Sequence, residues 1–169
     1  NGTIHYTSVP EPSTYLTTDA CNTGGAACFK NDWFYAHWQT DFPEYQSEHI
    51  NIKELLAIVI AARRWAHLWR DQHIVIFTDS KCVMHMINNS SSKNVLAMKL
   101  IRELSYICIK YRCFITAKHL AGSKNVISDY LSRLMHQKNW LEFLASYHLR
   151  RSNLYDHISE MCALFLQES

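Results

Sequence analysis

Five residues of this chain could do chemistry together: Asp19, Glu54, Asp79, Asp129 and His119. Asp79 follows the apolar run Ile74 to Phe77 in HIVIFTDSKC. Such a short β-branched and aromatic run, bounded by polar residues, predicts a strand buried on both faces. A carboxylate just past its end lies where open α/β sheets place their ligands. The stretch TYLTTD ending at Asp19 repeats the pattern, with Thr18-Asp19-Ala20 matching Thr78-Asp79-Ser80. A helix cap would account for Asp79 or Ser80, both good N-cap residues. It does not account for Asp19, which leads into Cys21-Asn22-Thr23-Gly24-Gly25, a turn sequence.

If the two strands are neighbours, their ends bring Asp19 and Asp79 together. Glu54, opening a long helix, and Asp129, in a helix after the last strand, can then close around them. Four carboxylates in one pocket repel unless cations neutralise them. Hard oxygen ligands suit Mg²⁺ or Mn²⁺, and two such ions about 4 Å apart activate water and stabilise the leaving oxygen of a phosphodiester. Each residue also has a plainer role. Asn51 and Glu54 fit a capping box, Asp129 could be a surface residue, and His119 could be a half-buried spacer at a strand end. The joint placement is what points to chemistry.

The elements that must position these groups read as follows. Strands are expected over residues 14–19, 26–30 and 33–38, with Asn31-Asp32 turning between the last two, which makes an antiparallel meander. After a loop from 39 to 49, apolar residues recur at helical spacing through Leu55, Leu56, Val59, Ala62, Ala66 and Trp69. A fourth strand over 73–79, right after that helix, should run parallel to an earlier one. Helices follow over 80–88 and 95–111, then a fifth strand over 112–120, a turn over 122–125 and a helix over 129–134. Residues 136–169 suggest two amphipathic helices, over 140–149 and 154–166. The expected organisation is a lead-in over 1–13, one α/β domain over 14–134 and a C-terminal helical extension over 135–169.

The 169 residues are 48% hydrophobic and 19% charged, an ordinary globular composition long enough for one domain and an extension. No apolar run approaches the roughly 20 residues of a membrane span, and NGTIHYTSVPEPS lacks the order of a signal peptide. An intracellular protein, in cytoplasm or nucleus and away from membranes, is expected. The six cysteines show no C-x-x-C spacing, which argues against a zinc site or redox pair and for buried, reduced thiols. The net charge of +2 permits a nucleic-acid partner without requiring one. Residues 1–135 hold 14 basic and 11 acidic groups and the last 34 hold 3 and 4, so the positive excess stays with the sheet domain.

The Thr-Asp at 18–19, HINIKELLAIVIA at 49–61, FTDS at 77–80 and HLAGSKNVISDYLSR at 119–133 together resemble the ribonuclease H family. The likeness is greatest to the ribonuclease H domain that follows reverse transcriptase in tyrosine-recombinase (DIRS-like) and Ty3-like retrotransposons, with their His-x-x-Gly-x-x-Asn-x-x-x-Asp-x-Leu-Ser-Arg pattern. It implies a ribonuclease H-like fold: a five-stranded mixed sheet, the first three strands antiparallel, flanked by helices. It implies a metal-dependent endonuclease that cuts the RNA strand of RNA/DNA hybrids, recognising RNA by its 2′-hydroxyls across the minor groove. Asp19 would bridge two Mg²⁺ ions, with Mn²⁺ as a substitute. Glu54 and Asp79 would hold the ion on the leaving-group side, and Asp129 the ion that activates water. His119 would assist proton transfer or product release from a mobile loop. Asn51, Ser80, Lys81 and Asn125 would meet the hybrid or support that loop.

Three departures qualify the likeness. CNTGGAACF stands where retroelement relatives tend to have Gly-Trp-Gly, and Lys81 stands where cellular relatives often carry Gln, trading a base-edge contact for a phosphate contact. The segment between Asn88 and Arg112 leaves no room for the basic protruding helix of some cellular enzymes. Weak grip on substrate in isolation is therefore expected, with an upstream reverse transcriptase in the same polyprotein supplying the rest, an expectation the abrupt start at Asn1 also raises. Two other readings share the fold: an inactive hybrid-binding or scaffold module, and a transposase or integrase acting on DNA. Intact carboxylates argue against the first; Glu54 and His119 argue against the second.

Overall fold

The structure, a computed structural model, describes residues 14–30 and 32–121. The expected lead-in, the turn over 122–125, Asn125, Asp129 and its helix, the two C-terminal helices and Cys162 lie outside the described residues. Five strands form one mixed sheet in the order β3-β2-β1-β4-β5. β1 (Thr14–Ala20) pairs antiparallel with β2 (Gly24–Phe29), which pairs antiparallel with β3 (Asp32–His37). β4 (His73–Thr78) runs parallel to β1 and to β5 (Phe114–His119). β4 is buried along its whole length, as its unbroken apolar run predicts.

Helix α2 (Ile50–Trp65) packs across β1 and β2, and α4 (Val95–Tyr111) packs on α2. Leu16, Leu55, Leu56, Ile58, Ile74, Ile76 and Leu100 are sealed in the core between these layers. α3 (Lys81–Asn89) lies against β5. Asn94 caps α4, and Arg112 ends it in the left-handed conformation at φ 52°. No described helix is long and apolar enough to cross a membrane.

Several boundaries differ from expectation for visible reasons. Gly24 and Gly25 belong to β2, so the turn shrinks to residues 21–23, closed by the Cys21 N–H donating to the Gly24 carbonyl at 2.8 Å. Small residues are required there. A Cβ on Gly25 would lie 2.5 Å from the Trp38 ring and 3.4 Å from Ala57 Cβ on α2. The unusual GGAAC start of β2 is thus the surface against which a fully buried tryptophan closes. Asp32 is the first residue of β3, where it accepts from Trp65 Nε1 and pairs with Arg64. Trp38 ends no strand but opens a short helix, α1 (Trp38–Asp41). The long helix stops at Trp65 and continues as a 3₁₀ turn over Ala66–Leu68. Arg112 is the α4 cap rather than part of β5. No disulfide joins the cysteines among the described residues, but only Cys28 and Cys113 are buried; Cys82 is exposed on α3, and Cys21 and Cys108 are partly covered.

Gly25→Ala is expected to destabilise the protein by about 1–3 kcal/mol, the usual cost of overpacking a closed site. Chemical denaturation would check this, and an unchanged midpoint would show that Trp38 can move aside.

Candidate active site

Strand pairing sets the geometry. Thr17 on β1 faces Phe77 on β4 in the parallel ladder, and two residues further along each strand come Asp19 and Asp79. The two repeated Thr-Asp pairs therefore lie side by side at the same end of the sheet. Asp19 is 2% exposed and Glu54 is 3% exposed, whereas Asp79 is open to solvent. One carboxylate oxygen from each of Asp19, Glu54 and Asp79 lies within 4.8 Å of the others.

Glu54 is not the capping residue its sequence position suggested. His49 caps α2, its Nδ1 accepting from the Asn51 N–H at 3.2 Å, so the helix starts before Asn51 and Glu54 sits a full turn inside it. Freed from capping, Glu54 reaches across to β1, where Oε1 accepts the Ala20 N–H at 3.1 Å. Its Oε2 is buried and meets no hydrogen-bond donor among the described residues. Burial raises the Glu54 carboxyl well above its ordinary value, and the nearby Asp19 and Asp79 push it in the same direction. Buried oxygens of hard, anionic ligands crowded together, one of them lacking a donor, fit a divalent cation such as Mg²⁺ or Mn²⁺.

The neighbouring groups are held with equal definition. Ser80 caps α3, its Oγ accepting the Val83 N–H, and the same hydroxyl donates to Asn51 Oδ1 at 3.3 Å. Of the two residues that could have capped this helix, Ser80 does so, leaving the Asp79 carboxylate to the cluster. Lys81, the first residue of α3, is exposed. His119 is not on a loop: it is the last residue of β5, paired in register with Thr78. Its Nε2 lies 3.1 Å from the Asp79 carbonyl, an acceptor, so Nε2 carries the proton and donates.

Sequence reasoning missed Lys53, which is 3% exposed and donates from Nζ to the Asn22 carbonyl at 3.1 Å. The available signal was a lysine inside an otherwise apolar helix run, next to Glu54.

With this geometry in hand, comparison with known proteins becomes decisive. The family description for the RNase H-like domain found in reverse transcriptase matches residues 9–107, more than half of the chain. The chain belongs to that family. The matched region contains Asp19, Glu54 and Asp79 and stops short of His119. No curated protein matches the sequence. Among solved structures, the N-terminal RNase H domain of a Mycobacterium tuberculosis protein, fused to maltose-binding protein, is 12% identical with a TM-score of 0.52, covering 70% of this chain and 91% of that one. LC11-RNase H1, isolated from compost by a metagenomic approach, was solved in complex with an RNA/DNA hybrid. That complex is 12% identical with a TM-score of 0.51, covering 70% of this chain and 93% of that one. At these identities the RNase H likeness is one of fold.

The raised Glu54 value fixes a sign. The folded protein holds a proton on Glu54 above the ordinary value of 4.5, where the unfolded chain has lost it. Cation-free stability therefore falls as pH rises from 4.5 through the raised folded value. Glu54→Gln, which keeps an acceptor for Ala20, is expected to flatten that slope and raise the cation-free Tm at neutral pH by roughly 2–4 °C for each kcal/mol of repulsion relieved. It should also abolish stabilisation by added Mn²⁺. Thermal melts in chelator and in Mn²⁺ across pH would check both effects; an unchanged slope would show that Glu54 is not the strained group.

Proposed function

We propose that this chain is a metal-dependent endoribonuclease that hydrolyses the RNA strand of RNA/DNA hybrids, as the RNase H domain of a retroelement reverse transcriptase. The observation that carries the proposal is the convergence of Asp19, Glu54 and Asp79, with a buried Glu54 oxygen that meets no donor among the described residues. Membership of the reverse-transcriptase RNase H family supports the same reading and favours an upstream reverse transcriptase domain as partner. A relative of the same fold holding an RNA/DNA hybrid supports the substrate class.

In this reading Asp19, Glu54 and Asp79 hold Mg²⁺, with Mn²⁺ as a substitute, and Asp129 completes the set for a second ion. When bound, such ions stabilise charge on the phosphate and make water a nucleophile at neutral pH. The chain's own residues do the rest. The Ala20 N–H orients the Glu54 carboxylate, and the Asp79 backbone orients His119 through Nε2. That leaves Nδ1 as the basic atom of the neutral ring, where a proton can be taken up or released. Asn51, its Oδ1 engaged by Ser80, keeps its amide N–H groups for the nucleic acid. Lys81 offers an exposed charge to a phosphate, and Asn125 would contact the hybrid as well.

The test is incubation of the purified chain with a labelled RNA/DNA hybrid in Mg²⁺ or Mn²⁺, beside single- and double-stranded controls. Cleavage confined to the RNA of the hybrid is expected, with loss on the order of 100-fold or more in Asp79→Asn. Intact hybrid together with no Mn²⁺ binding would turn the assignment to a scaffold, and joined DNA products to a DNA-processing nuclease.

A further inference from the structure

Lysine is almost never fully buried unless its charge is met, because desolvating an ammonium is costly. Lys53 is 3% exposed, and its one described hydrogen bond goes to the backbone carbonyl of Asn22. That carbonyl belongs to the turn over residues 21–23, directly after Asp19 and Ala20. The other two carbonyls of the turn are also drawn inward: Cys21 accepts from Trp38 Nε1 at 2.9 Å, and Thr23 accepts from the Trp38 N–H at 3.0 Å. The three ties come from two elements, Lys53 from α2 and Trp38 from the start of α1. Asn22 sits at the apex and is exposed.

The start of α2 therefore holds both the end of β1 and the turn that follows it. Glu54 grips the N–H of Ala20, the residue after Asp19, and Lys53 grips the carbonyl of Asn22, three residues after Asp19. A neutral side chain of the same length would fill the space but leave the Asn22 carbonyl without a donor. The turn could then pivot about its Cys21 and Thr23 ties.

We propose that Lys53 is a positioning residue for nucleic-acid binding: its buried ammonium fixes the Asn22 carbonyl so that the exposed Asn22 side chain at the apex of the 21–23 turn meets the hybrid backbone. The inference rests on the function proposed above and adds a role that belongs to neither the carboxylates nor His119. Lys53 acts through the turn and has no part in holding cations.

Steady-state cleavage of the hybrid by Lys53→Met and Asn22→Ala provides the test, with hybrid affinity measured separately in the Asp79→Asn background, where cleavage is silent. Each variant is expected to raise KM by about tenfold with kcat within about twofold, and the double variant to be no worse than the weaker single one. Mn²⁺ affinity should be unchanged in both. An Asn22→Ala protein with wild-type KM overturns the inference, and it decides the matter even if Lys53→Met does not fold. So does a Lys53→Met protein that loses kcat or Mn²⁺ affinity at unchanged KM. A wild-type chain that neither binds nor cuts the hybrid overturns the proposed function itself; one that cuts while both variants behave as wild type overturns only the role of Lys53.

Discussion

The parallel pairing of β1 with β4 is the constraint on which the rest of this molecule depends. Parallel neighbours need a long crossover, and here that crossover contains β2, β3 and α2. Because the two strands run the same way, their C-terminal ends emerge together, and a residue two positions past the last pairing on each is an aspartate. Antiparallel pairing would have sent Asp19 and Asp79 to opposite ends of the two strands. The same pairing continues to β5 and delivers His119 to the backbone of Asp79.

Bringing acids together is unfavourable, and the fold offsets it unevenly. Asp79 keeps access to solvent, whereas Asp19 and Glu54 are buried, and burial together with the neighbouring charges raises the Glu54 carboxyl well above its ordinary value. One backbone N–H, from Ala20, meets one of its oxygens; the other has no donor among the described residues, as is common where a site is built for a ligand and not for stability alone. Around this strained point the packing is tight. Trp38 closes over Gly25, and the small residues of β2 let α2 approach the sheet closely enough for Glu54 to reach β1.

Much of this was legible along the chain, because the signals were local. The apolar run before Asp79 encodes a strand sealed on both sides. The spacing of Leu55, Leu56, Val59 and Ala62 encodes a helix, and the repeated Thr-Asp endings mark two strands with a common fate. The ambiguities and the errors were also local. Asn51 and Glu54 match a capping box, but His49 caps first, so the acid three residues on was free for another task. Gly24-Gly25 reads as a turn, but glycine in a strand also marks a place where something large comes close, and here that is an indole from beyond β3.

What the sequence determined by itself, then, is the order and type of elements and the positions at which acids leave them, because hydrophobic period and residue size act over a few residues. Which acids share a pocket, which of them loses its water, and that a lysine in the middle of an apolar helix face is tied to a turn 31 residues away were decided only by tertiary structure. Those facts depend on strand partners and on burial. Both are set by contacts between segments far apart in the chain, and no short window of sequence contains them.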